Sequence, residues 1–249
     1  MTGEEIRQDK KHKTYNSMNL PNHIVIIPDG NRRWARERNL KPWEGHEEGA
    51  KNIEALVRRA LDLKIKNISF WGSSLGNLEK RPLLEKKALL DIYDRYFAKL
   101  IDSDEVRENE ARINIIGRWK QYFPASLIKT LEGGIEKTKN YKNYNLNFFL
   151  AYDGDDDMLE AVKNIVKKEY QMEDINGEVV KENLMTRDLP AVDYMIRTGG
   201  EPHLSAGFLM WDTADAQLYF SEKYFPDFGV QEFEEAIKDY QRRERRKGK

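Results

Sequence analysis

Asp29, Gly30 and Asn31 close a short apolar run that begins at His23, and basic residues follow at Arg32, Arg33, Arg36 and Arg38. A strand that opens into a glycine turn and a basic helix start is an anion-binding arrangement. Backbone N–H groups at the turn point at the anion, and the helix dipole favours negative charge there. Asp29 in the same turn would repel a phosphate unless a divalent cation lay between them. Mg²⁺ suits that place, because one or two carboxylates plus substrate phosphate oxygens are its usual ligands. Taken alone, the segment reads equally well as a strand, an Asp-Gly-Asn turn and a solvated basic face.

Two further clusters shift the balance. Ser73-Ser74-Leu-Gly-Asn77, with Arg81 and Pro82, follows a second apolar run; Arg197-Thr-Gly-Gly-Glu201, with His203 and Ser205, follows a fifth. Ligands of a parallel sheet collect beyond the carboxyl ends of its strands, so both clusters would face the same crevice as Asp29. Arg197 offers a planar fork of donors suited to phosphate oxygens, and the adjoining glycines let the backbone come close. The structural alternatives are a Ser74 that caps a helix and an Arg197 in a surface ion pair. The stretch 83–102 adds a wide apolar helical surface built from Leu83, Leu84, Leu89, Leu90, Ile92, Tyr93, Tyr96, Phe97, Leu100 and Ile101. It is either packed core or the wall of a cleft for an aliphatic chain. Phosphate donors at several strand ends, one acid for Mg²⁺ and an apolar helix nearby together describe a site for allylic diphosphates.

The elements that must position these residues alternate along the chain. Strands are predicted near 23–28, 66–72, 112–117, 145–151, 192–196 and 216–220, each short and mostly apolar, as strands covered on both faces are. Helices are predicted near 46–63, 83–102, 125–140, 156–170 and 230–246; in the first, Ile53, Leu56, Val57, Ala60 and Leu61 make an apolar stripe. The expectation is an α/β fold: a polar tail over 1–20, then a single domain over 21–249 with a six-stranded, mostly parallel sheet flanked by helices. The 249 residues hold 42 Lys and Arg against 43 Asp and Glu, a net charge of −1, so no nucleic-acid partner is expected and any anion site is local. The absence of cysteine excludes disulfides, thiolate metal sites and a catalytic cysteine, and fits a reducing cytoplasm. The longest aliphatic run, Ile24–Ile27, falls far short of the ~20 residues that span a bilayer. A protein of this kind would meet lipid from the cytoplasm or as a peripheral membrane protein.

The motifs also occur in a known order. Asp29-Gly-Asn31-Arg-Arg33-Trp34, Gly45-His46-x-x-Gly49, Ser74…Asn77…Arg81-Pro82, Ile196-Arg197-Thr-Gly-Gly-Glu201, Ser205, Leu218-Tyr-Phe220, Pro226-Asp-Phe228 and Arg246-Lys-Gly248 resemble those of the cis-prenyltransferases, the undecaprenyl diphosphate synthase family, over residues 22–248. The doubled arginine at 32–33 and Pro42-Trp43-Glu44-Gly45-His46 resemble archaeal members. The resemblance implies a homodimer that extends an allylic diphosphate with isopentenyl diphosphate, making a polyprenyl diphosphate with new cis double bonds. It implies that Asp29 holds Mg²⁺ on a diphosphate. Gly30, Asn31, Arg32, Arg33 and Arg81 would grip the allylic diphosphate, with Trp34 in the same motif. His46, Ser74 and Asn77 would assist proton movement and diphosphate departure, with a capping role for His46 as the alternative. Arg197 and Ser205 would bind isopentenyl diphosphate, with Arg246 and Gly248 reaching that site across the dimer.

Departures from the family pattern gather on the isopentenyl diphosphate side. His203 stands where an arginine is usual, and Ser205-Ala206-Gly207-Phe208 is one residue longer. Gln217 stands where a glutamate would be a second Mg²⁺ ligand; it keeps a carbonyl oxygen and loses the charge. Pro42 replaces an arginine, with Lys41 adjacent as a substitute cation. These changes leave open an atypical transferase that uses another prenyl diphosphate or a non-prenyl acceptor. A non-catalytic accessory subunit is the third reading, opposed by the presence of Asp29, Asn31 and Arg33. Asp156-Asp157-Met-Leu-Glu160 imitates the acidic motif of trans-prenyl synthases, but reads as a helix N-terminus, where acids suit the dipole, rather than a second metal site.

Overall fold

Runs of β-branched and aromatic residues fall where a sheet covered on both faces needs them. The computed structural model describes residues 19–243. Its strands β1 (His23–Ile27), β2 (Asn67–Ser73), β3 (Ala111–Ile116), β4 (Tyr144–Leu150), β5 (Tyr194–Arg197) and β6 (Gln217–Phe220) form one sheet in the order β3-β4-β2-β1-β5-β6. Every neighbouring pair is parallel, so the sheet is wholly rather than mostly parallel.

Strand periodicity divides the core between two faces. Ile24, Ile26, Ile68, Phe70, Leu146, Phe148 and Ile196 join one cluster; Val25, Ile27, Trp71, Phe149 and Met195 join the other. The first face is covered by α2 (Pro42–Asp62), α4 (Leu83–Ile101), α7 (Ala125–Thr138) and α10 (Val230–Arg242). Phe208 and Leu209 pack on the second face, with Phe208 stacked on Trp71 at 4.5 Å between ring centroids. The acids of 155–157 lie in the first turn of α8 (Gly154–Lys167), as a helix N-terminus requires. Asp156 pairs with Arg118, while Asp157 is buried against the Tyr152 hydroxyl.

The long helices fall close to their expected ranges, with one informative shift. The helix expected from 46 begins at Pro42, because proline suits a first turn and the Glu44 carboxylate accepts from the Lys41 amide at 2.7 Å. The short helices α1 (Asn31–Glu37), α3 (Leu75–Lys80), α5 (Asp104–Glu108), α6 (Trp119–Tyr122) and α9 (Gly177–Asn183) are too brief to print a hydrophobic period. No helix among the described residues is long and apolar enough to cross a membrane.

Candidate active site

Connections leave β1 toward β2 on one side and β5 toward β6 on the other, so the sheet reverses its winding between β1 and β5. A crevice opens at the carboxyl ends of strands at such a point. Ile27 pairs with Arg197 in register, which puts Asp29 and the Arg197 side chain at the same end of the sheet. Arg197 Nη2 donates to Asp29 Oδ2 at 2.9 Å, and its Nη1 donates to the His203 carbonyl at 2.6 Å and Ser205 Oγ at 2.9 Å. Asp29 Oδ1 accepts from the Gly30 amide, and Arg33 lies 3.4 Å from it while pairing with Glu201 at 3.1 Å. Gly30 holds φ +97°, a conformation that favours glycine, and it hands the chain straight into α1. The first-turn amides of α1 have no acceptor within the helix.

A second cationic cluster faces this one across the crevice. Arg81 Nη1 donates to His46 Nε2 at 2.7 Å and to Glu85 Oε1 at 2.5 Å. Arg32 Nε reaches the same Glu85 oxygen at 3.4 Å. Burial pushes the His46 pKa down, against the opposing pull of Glu85, and so favours the neutral ring; Arg81 can only donate, so Nε2 is the acceptor of that pair. The neighbouring His46, then the charges of Arg81 and Arg32, hold the Glu85 carboxyl below its ordinary range. Glu85 belongs to none of the motifs that pointed to the site. Its signal was nonetheless present: Glu85 lies four residues beyond Arg81, the spacing of a helical ion pair.

Between the sheet and helices α2 and α4 runs a cavity of about 1300 Å³. One end is lined by Asp29, Gly30, Asn31, Arg32, Arg33, His46, Ser74, Asn77, Arg81, Arg197, His203 and Ser205. Its middle is apolar, with Ile53, Val57, Phe70, Leu89, Ile92, Phe97 and Phe148. Glu54, Arg58, Lys99 and Glu105 line the far end. The helix at 83–101 is thus both core and cleft wall. Ser74 also does both jobs: its Oγ caps α3 by accepting from the Asn77 amide at 3.0 Å, and the residue lines the cavity.

Three expected site residues do not reach the cavity. Trp34 turns away because its indole donates to Asp227 and Arg38 stacks on its ring. Lys41 precedes α2 with its ammonium over Trp43. Gln217 pairs in register with Tyr194, and Tyr194 with Ile24, so it sits at the opposite end of the strands from Asp29. Within this chain Gln217 is not a partner of Asp29, although its Oε1 is buried without a hydrogen bond. Arg246 and Gly248 lie outside the described residues.

The described residues hold no group of three or more metal-ligating side chains. A lone Asp29 among arginines is no metal cage. It fits an ion that completes its shell with the oxygens of an incoming diphosphate, which is how Mg²⁺ is commonly held.

An arginine-lined rim joined to a long apolar pocket suits an apolar diphosphate, and comparison with known proteins makes this a prenyltransferase. The chain belongs to the family described as putative undecaprenyl diphosphate synthase, whose model matches residues 27–248. It is 37% identical over 237 residues to a tritrans,polycis-undecaprenyl-diphosphate synthase (geranylgeranyl-diphosphate specific) of Thermococcus kodakarensis, covering 94% of this chain and 89% of that one. It is 38% identical over 233 residues to an isoprenyl transferase of Aquifex pyrophilus, covering 94% and 98%. Among solved structures it resembles lavandulyl diphosphate synthase from Lavandula x intermedia in complex with dimethylallyl diphosphate, at a TM-score of 0.86 and 30% identity over 93% of this chain and 100% of that one.

Proposed function

We propose that this protein is a Mg²⁺-dependent homodimeric synthase that condenses an allylic prenyl diphosphate with isopentenyl diphosphate to give a polyprenyl diphosphate. The observation that carries this reading is the continuity of one cavity from the arginine-lined rim at Asp29 into the apolar channel between α2 and α4. The diphosphate stays at the rim while the growing chain is buried, and burial of each added methylene contributes about 0.8 kcal/mol.

Each group then has a task. Arg32, Arg33 and Arg81 receive the allylic diphosphate. Breaking the allylic C–O bond builds negative charge on the leaving group, so fixed donors stabilise the transition state more than the ground state. Mg²⁺ bound beside Asp29 would neutralise part of that charge. Arg197 and Ser205, already linked, position isopentenyl diphosphate. Neutral His46 aims Arg81 through Nε2, and that nitrogen would take up a proton once Arg81 turns to the diphosphate. Dimer formation is supported by the exposed stripe Leu159, Val162 and Val166 on α8 and by Leu218 and Phe220 on the edge strand β6.

The test is product analysis with Mg²⁺, labelled isopentenyl diphosphate and a panel of allylic diphosphates, with Asp29→Ala as control. Labelled products that lengthen by isoprene units, absent in the variant, support the reading. Diphosphate release without incorporated label would replace it with transfer to another acceptor.

A further inference from the structure

At the start of α4, Pro82, Leu83 and Leu84 are consecutive and exposed. Leu83 retains 84% of its accessible surface and Leu84 76%. Two leucines so exposed at one spot need a partner or a purpose.

Their neighbours locate them. Arg81, immediately before, lines the cavity, and Glu85, immediately after, is buried against Arg81, His46 and Arg32. An α-helix turns about 100° per residue. Leu83 and Lys87 therefore share the side of α4 opposite Glu85, and Leu84 lies beside them. The inner side of this turn forms the cavity rim and its outer side is apolar and basic. Lys80 and Lys87 are exposed and Lys86 half-buried, and none of the three has an ion-pair partner among the described residues. Glu79, the other acid here, accepts from the Tyr122 hydroxyl.

We infer that the turn Lys80–Lys87 docks the mouth of the cavity on an anionic lipid bilayer. The leucines enter the interfacial region while the lysines meet lipid phosphates, the combination of apolar burial and charge attraction that sets peripheral membrane affinity. Exposed leucines alone would suit a second protein equally; unpaired lysines on both flanks favour the bilayer. This inference deepens the reading above, because a site that makes an apolar diphosphate must release it to an apolar phase, and docking through this turn would hold the neighbouring rim close to that phase.

The experiment is sedimentation of the purified full chain with vesicles of phosphatidylglycerol and phosphatidylcholine in equal parts, and with phosphatidylcholine alone. The wild type should sediment with the anionic vesicles and remain in solution with the neutral ones. Leu83→Glu with Leu84→Glu should weaken that binding about tenfold or more, the effect of withholding the burial of a leucine. Lys80→Gln with Lys87→Gln should flatten its salt dependence. All variants should keep the wild-type melting temperature and, with short-chain substrates in detergent, the wild-type turnover. Equal binding of the Leu83→Glu, Leu84→Glu variant, or no wild-type binding, would overturn the inference. So would a change of oligomeric mass in that variant with vesicle binding intact. Sedimentation needs no turnover, so vesicle binding by a catalytically silent protein would sink the proposed reaction and leave the docking surface standing.

Discussion

Arg197 and Asp29 join the carboxyl ends of two adjacent strands, with Nη2 of one donating to Oδ2 of the other at 2.9 Å. The arginine is buried, and its Nε is buried without a hydrogen-bond partner. Such a pair is prepared to exchange its mutual contact for a substrate: the acid can take a cation, and the guanidinium a phosphate. Replacing Asp29 by Asn keeps an acceptor for Arg197 and removes the charge. The variant should therefore fold with a melting temperature near that of the wild type while turnover falls about a hundredfold or more, as when a charge-stabilising group is lost. Turnover and thermal melting, measured on the same sample, decide it; equal loss of both would assign Asp29 to the fold.

A pH dependence of stability follows from the buried histidines. Burial lowers the pKa of His46 and of His23 from the ordinary value of 6.5. The unfolded chain takes up these protons as pH falls through that value and the folded chain does not, so stability is full above about pH 7 and declines below 6.5. Glu85 contributes in a separate, lower window. Its folded pKa lies below the ordinary 4.5, so its contribution is present above that value and is lost as pH falls further. Urea midpoints from pH 8 to pH 5 should show the decline for the wild type, and a shallower one for His46→Gln. Parallel curves would mean that His46 does not titrate with folding.

The sheet was legible because strands buried on both faces appear as short continuous apolar runs, and each predicted strand lies within a residue or two of its observed range. The long amphipathic helices were legible for the corresponding reason. The rim was legible through residue type: arginines and glycines after strands mean anions in any parallel sheet. Gln217 shows the limit, since its place beside Leu218-Tyr-Phe220 suggests nearness to the site, while strand register carries it to the other end. Trp34 shows another, because an indole that follows Arg33 in sequence is drawn off by Asp227, far away along the chain. The buried polar ladder from His23 through Ser69 and Asn147 to Asn114 is a third. Its members lie on four strands, and no local pattern announces them.

Backbone contact between α1 and α2 sets a steric prediction. A methyl group at Gly45 would overlap the carbonyl oxygen of Asn31, and backbone cannot swing aside. Alanine's better helix propensity, worth about 1 kcal/mol, is outweighed by overpacking of about 2–3 kcal/mol against a fixed atom. Gly45→Ala should therefore lower the melting temperature by roughly 2–8 °C and disturb the Asn31 turn. Gly133, exposed in α7 with open space where a methyl group would stand, is the control. Gly133→Ala should stabilise by about 0.5–1 kcal/mol. Equal effects of the two changes would refute the steric argument.

The far end of the cavity gives a prediction about product length, resting on the proposed reaction. Arg58 pairs with Glu105 at 2.6 Å and approaches Glu54 at 3.6 Å, while Lys99 pairs with Glu54 at 2.7 Å. These charged side chains line that end beside Leu100. Half-exposed pairs contribute only about 0–1 kcal/mol each, and a few buried methylenes at ~0.8 kcal/mol each together outweigh them. A growing chain should therefore part them where it could not displace a packed phenylalanine. Arg58→Ala with Lys99→Ala should shift the product distribution toward longer chains with little loss of stability. Ala50→Leu, which fills the wall nearer the rim, should shorten it. Chromatography of labelled products reads both shifts, and an unchanged distribution in the double variant would mean that chain length is set before the ion pairs are reached.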